Sequence, residues 1–148
     1  MRFHNYADTS FIVPLFIKED TSESAITEAD RLSEPLPLVF LNSLEWVAAI
    51  NARLYRREIT CTIRDAAFVK FREYLQMGFF VRIPIDLDVL REKTEALSNR
   101  HTSLNGSRTL DLLHVAAAQM LGCCRFLTFD ERQRATADAE GLDTAADT

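Results

Sequence analysis

The chain reads as an α/β protein built on a parallel sheet, and three observations lead there. Short apolar runs of strand length recur four times, longer stretches of helical periodicity separate them, and capping or turn residues mark the junctions. Strands joined by helical crossovers pair in parallel, carry helices on their faces and cross over with a right hand.

The elements follow in order. Residues 3 to 9 form the first strand, and a helical segment covers 10 to 18. Asp20-Thr21-Ser22-Glu23 offers caps for a helix over 22 to 33, which Glu34-Pro35-Leu36-Pro37 stops. Leu38-Val39-Phe40-Leu41-Asn42 is the second strand, followed by a helix over 43 to 58. Thr60 caps a helix over 60 to 77, and Gly78 ends it before the third strand at 79 to 85. A helix over 86 to 99 leads into Arg-His-Thr-Ser-Leu-Asn-Gly-Ser at 100 to 107, which reads as a loop. The last three elements are a helix over 108 to 121, a strand over 125 to 129 and a helix over 131 to 140. With 148 residues, no internal repeat and no low-complexity linker, the expectation is one domain over 1 to 141 and a flexible tail over 142 to 148.

Composition narrows the function classes. A chain that is 47% hydrophobic and 26% charged has the balance of a globular protein, and no apolar run approaches the roughly 18 residues of a membrane span. The first residues lack the apolar stretch of a signal peptide, so the expected location is the cytoplasm. Net charge of -5 excludes reliance on overall basicity to hold nucleic acid, although not local contacts. Cys61, Cys123 and Cys124 lack metal-ligand spacing and read as small buried hydrophobes in a reducing compartment. The four glycines form no phosphate-cradling motif.

The chemistry sits in four acids. Asp8 and Asp130 each close an apolar strand, while Glu45 and Asp111 stand at helix starts. In a parallel sheet, strand C-termini and helix N-termini share one edge, the edge at which open α/β sheets bind ligands. Two carboxylates about 4 Å apart repel by about 4 kcal/mol at an effective dielectric near 20, so a gathering of four calls for a cation. Hard oxygen donors favour Mg²⁺, with Mn²⁺ as a substitute, over Zn²⁺. Such an ion suits phosphodiester hydrolysis.

Together, Ala7-Asp8-Thr9-Ser10, Asn42-Ser43-Leu44-Glu45, Leu110-Asp111-Leu112-Leu113-His114-Val115-Ala116-Ala117-Ala118 and Phe126-Leu127-Thr128-Phe129-Asp130-Glu131-Arg132-Gln133 resemble the PIN-domain ribonucleases, and most closely the VapC-type toxins of toxin-antitoxin pairs. The resemblance covers nearly the whole chain. It implies a three-layer sandwich around a central parallel sheet of four to five short strands. It also implies a Mg²⁺-dependent endoribonuclease acting on single-stranded RNA (tRNA, rRNA or mRNA), with Asp8, Glu45, Asp111 and Asp130 as catalytic and metal-holding residues. A small cognate antitoxin and a homodimer are the implied partners. The alternative is a non-catalytic PIN-like platform for RNA or protein.

Other residues carry two readings each. Ser10 and Thr128 correspond to small hydroxyl residues near the metal, or make turn and strand-end hydrogen bonds. His114 lies one turn after Asp111 but reads as a core histidine outside the catalytic set. Arg53, Arg56 and Arg57 can contact RNA phosphates, or line a solvated basic face that docks an acidic partner. Trp46 reads as core packing ahead of base stacking.

Overall fold

The computed structural model describes residues 2–145. Among them, four strands of three residues each alternate with helices: β1 (Asn5–Ala7), α1 (Thr9–Ile12), a 3₁₀ turn (Val13–Leu15), α2 (Ser22–Asp30), β2 (Leu36–Leu38), α3 (Phe40–Tyr55), α4 (Cys61–Gln76), β3 (Phe80–Arg82), α5 (Leu87–Asn105), α6 (Thr109–Met120), β4 (Arg125–Leu127) and α7 (Glu131–Ala139). Both strand pairings are parallel, β1 with β4 and β2 with β3. β1 and β2 lie side by side without ladder hydrogen bonds, so the central layer is a sheet in two halves.

Pro37 accounts for that division. The Leu36 N–H donates to Phe79 and the Leu38 carbonyl accepts from Ile83, so the polar groups of 36 and 38 face β3 and those of 37 face β1. Proline has no N–H to donate there. The Ala7 carbonyl, turned toward this gap, accepts instead from the side-chain amide of Asn42 at 3.1 Å.

Alternation along each strand separates two cores. Tyr6 and Phe126 enter one cluster with Leu90, Leu97, Leu112, Val115 and Ala116–Ala118 under α5 and α6, while Ala7 and Leu127 enter another with Leu36, Trp46, Ile50, Phe71 and Phe80 under α1 to α4. The three layers follow from this period-two pattern. Trp46 stacks on Phe71 at 4.3 Å between ring centroids and is buried, so it belongs to the core.

Several boundaries differ from the sequence reading. The second strand occupies 36–38, not 38–42, because Asn42 accepts the Val39 N–H at 2.8 Å and starts α3 three residues earlier. Glu45 is therefore in the second turn of α3, beyond the reach of the N-terminal dipole. The expected loop over 100 to 107 is helical to Asn105: Arg100 and His101 bind Glu140, and Gly106 at φ 70° closes the helix. Leu142 is buried, and Asp143 bridges to Arg125 through 2.8 Å backbone bonds to Cys124 and Phe126, so these two residues join the fold. Ala145 follows them, its carbonyl accepting from Arg125 at 3.3 Å, and the part of the expected tail from 146 lies outside the described residues. Of the three free cysteines only Cys123 is buried, which pushes its thiol up to about 12; Cys61 and Cys124 are exposed.

Candidate active site

Asp8 follows β1 directly and caps α1, with its side chain buried. Its Oδ1 accepts from the Ser10 hydroxyl at 2.6 Å and the Phe11 N–H at 3.2 Å, and its Oδ2 accepts from the Thr128 hydroxyl at 2.6 Å. Each hydroxyl is itself fixed by the chain after β4: Phe129 N–H donates to Ser10 Oγ and Asp130 N–H to Thr128 Oγ1. Two hydroxyl bridges thus carry the geometry of the β4 end to Asp8. Burial raises the Asp8 pKa, against the opposing pull of His114, Ser10 and Thr128.

Glu45 is half-buried. Its Oε1 accepts from the Thr9 hydroxyl at 2.9 Å and pairs with His114 Nε2. Burial pushes its pKa up, but the contact with His114 and the Thr9 hydroxyl outweigh this and leave it lowered. His114 is buried against Tyr6, whose hydroxyl lies 2.7 Å from Nδ1.

Asp111 stands in the first turn of α6, its Oδ2 near the Arg108 N–H at 3.4 Å. Asp130 caps α7, its Oδ1 accepting from the Arg132 and Gln133 N–H groups at 2.9 and 3.2 Å. Gln133 also donates its side-chain amide to the Asp111 carbonyl at 3.1 Å, tying the two helix starts together. Partial burial raises the Asp111 pKa, and the negative charge of Asp130 adds to the rise.

The four acids therefore stand in two pairs, Asp8 with Glu45 around Tyr6 and His114, and Asp111 with Asp130. His114 lies within electrostatic reach of both Asp8 and Asp111 and so stands between the pairs. In Glu45, Asp111 and Asp130 one carboxylate oxygen is committed, and the other has no hydrogen-bond partner among the described residues. Among these residues, no three acidic, imidazole or thiol groups converge at metal-ligand spacing. The donor chemistry nonetheless suits a hard divalent ion: open carboxylate oxygens and mutual repulsion between Asp111 and Asp130.

The arginines are placed differently. Arg53 binds Glu19 at 2.5 Å and the Ala49 carbonyl, and Arg56 pairs with Glu58 at 2.8 Å, so both cations have intramolecular partners. Arg57, at φ 60°, is exposed beyond the end of α3. The sequence reading of His114 as a core histidine agrees with its burial but did not anticipate its contact with Glu45, and Gln133 was not singled out. The i, i+3 spacing of Asp111 and His114 was the available signal for the first, while nothing local marked the second.

Comparison with known proteins agrees with this architecture. Among solved structures, VapC20 of Mycobacterium tuberculosis, described as a sarcin-ricin loop cleaving toxin, superposes with a TM-score of 0.71 at 16% identity, covering 97% of this chain and 99% of that chain. A toxin-antitoxin complex from Klebsiella pneumoniae gives a TM-score of 0.60 at 17% identity, covering 88% and 90%. No curated protein matches in sequence. The PIN domain family model matches residues 6–139, which takes in all four acids and every strand but the first residue of β1: the chain belongs to the PIN domain family.

Proposed function

We propose that the protein is a metal-dependent endoribonuclease that hydrolyses phosphodiester bonds in single-stranded RNA, and that it acts as the toxin of a VapC-type toxin-antitoxin pair. The observation that carries the reading is the open oxygen on each of Glu45, Asp111 and Asp130 beside the buried, hydroxyl-braced Asp8. These four residues would hold Mg²⁺ or Mn²⁺. The ion, when bound, polarises the phosphodiester and lowers the pKa of an attacking water. Asp8 and Asp130 share the Thr128 hydroxyl link, so the end of β4 aligns one acid from each pair.

The membership of the family and the likeness to toxin structures support the nuclease and toxin parts of this reading. An RNA contact is assigned to Arg57, whose side chain has no partner among the described residues, unlike Arg53 and Arg56. A groove of about 420 Å³ between the start of α3, α5 and α6, lined by Phe40, Leu87, Leu90 and Leu112, supports docking of an apolar antitoxin segment or of a second copy. Among the described residues no helix is long and apolar enough to cross a membrane.

The test is a Mn²⁺ titration by calorimetry, paired with cleavage of total cellular RNA. Saturable uptake and RNA cleavage by the parent, both lost in Asp8→Asn, are the expected results. A folded parent that takes up no Mn²⁺ and leaves RNA intact would identify a non-catalytic platform instead.

A further inference from the structure

We propose that Asn42, Tyr6 and His114 form a directional hydrogen-bond chain that positions Glu45, pinning Oε1 and presenting Oε2 to the metal. This rests on the reading of the acids as a metal-dependent nuclease centre. His114 is thereby a positioning residue, beyond its part in the core.

The direction of the chain starts at the backbone. The Val39 N–H donates to Asn42 Oδ1 at 2.8 Å, which orients the amide. Asn42 Nδ2 then donates to the Ala7 carbonyl at 3.1 Å and to the Tyr6 hydroxyl at 3.3 Å. With its oxygen accepting, Tyr6 has one proton to give. His114 Nδ1 stands at 2.7 Å, whereas the return contact to Asn42 Oδ1 is 3.5 Å and at the limit of a hydrogen bond. Nδ1 accepts, so the ring proton is on Nε2 and is donated to Glu45 Oε1. The Thr9 hydroxyl donates to the same oxygen from the other side at 2.9 Å.

Burial makes this arrangement rigid. Tyr6, Asn42 and His114 are 0%, 1% and 3% exposed, and burial keeps the Tyr6 hydroxyl protonated by raising its pKa well above its ordinary value. A packing histidine has no need of partners on both nitrogens. Here both are engaged, by β1 on one side and by α3 on the other, and a low-dielectric site makes an unmade bond costly.

Nitrogen NMR of the metal-free protein, with ring nitrogens labelled, reads the chain directly. A His114 ring with its proton on Nε2 is expected, and Tyr6→Phe should move the Nδ1 resonance, which loses its donor, while the Nε2 resonance, still facing the Glu45 carboxylate, stays close to the parent's. Mn²⁺ calorimetry on folded His114→Ala should show a loss in affinity of about 10–100-fold, the usual effect of removing a partner that orients a ligand. Cleavage by that variant should fall in kcat with KM little changed, and His114→Gln, whose amide can donate from the Nε2 position, should recover part of both. A ring protonated at Nδ1 in the parent, or parental Mn²⁺ affinity in folded His114→Ala, overturns the proposal. If the parent takes up no Mn²⁺, the nuclease reading fails on its own, while the ring spectrum and its response to Tyr6→Phe still decide whether the chain holds Glu45.

Discussion

The two halves of the candidate site are held in place by different kinds of interaction. Asp8 and Glu45 each have a partner far away in sequence, added for Asp8 to the local bonds from Ser10 and Phe11: Thr128 lies 120 residues from Asp8, and His114 lies 69 residues from Glu45. Asp111 and Asp130 are fixed by backbone N–H groups within three residues, in ordinary first-turn and N-cap geometry. One half is a product of the tertiary fold. The other is a product of local chain conformation, with Gln133 as its long-range tie among the described residues. The first half should therefore fail through loss of alignment or folding, and the second should tolerate any replacement that keeps the cap.

The largest effect is expected in the closed half. Asp8→Asn preserves size and burial but removes the anion, and cleavage of RNA in Mg²⁺ should fall by at least about 100-fold with the far-ultraviolet spectrum unchanged. In the parent, Mn²⁺ at a hundredfold excess over Kd should add about 2.7 kcal/mol of stability, read as a rise in Tm. The variant should show almost none. An undiminished cleavage rate in Asp8→Asn would remove this acid from the site.

Thr128→Val comes next. It deletes the bond to Asp8 Oδ2 and leaves the Asp130 N–H without its hydroxyl, and should cost about 1–3 kcal/mol in urea denaturation. The open half supplies the contrast. Asp130→Ala should cost only about 1 kcal/mol as a lost cap, while Asp130→Asn, able to cap as well as Asp, should stay within about 0.5 kcal/mol and still lose Mn²⁺ affinity. If the Ala and Asn variants are equally unstable, the cap is not what holds this residue.

The smallest effect is a slope against pH. Burial raises the pKa of Asp8 and of Asp111 in the folded state above the ordinary 3.8. The folded chain thus holds these protons more tightly than the unfolded one. Their contribution to stability is complete below about pH 3.8 and declines as pH rises through the raised values. In the presence of a chelator, the urea midpoint of Asp8→Asn should fall less steeply over that window than the parent's. Asp111→Asn should flatten the slope less, since its carboxyl is less deeply buried. Equal flattening by the two would erase the distinction between the halves.

The same division explains what could be read from the sequence. Apolar strands ending in Asp8 and Asp130, and helices beginning near Asp111 and Asp130, are local patterns, and the order of elements followed from them. The brace on Asp8 could not be read, because Ser10 and Thr128 look like strand-end hydroxyls until β1 and β4 pair. His114 looked like a core residue and is buried as such, but its second nitrogen reaches an acid on another helix. The start of α3 was misplaced because Leu38 to Leu41 has strand composition, and only the bond from Val39 to Asn42 shows that the chain has turned. The helical continuation to Asn105 rests on Glu140, Arg100 and His101 meeting across 39 to 40 residues, a contact that overrides a loop-like composition.

Pro37 gives the molecule a seam down its middle, and the stitch across it is a side-chain amide. Asn42 closes that seam at Ala7 and, with its remaining N–H, seats the tyrosine beside it. Cohesion of the scaffold and aim of the machinery therefore share one fastening. A lineage that exchanged Asn42 for a residue without both an amide donor and an acceptor would loosen the two together, and a residue at 37 able to donate across the gap would restore the first without the second.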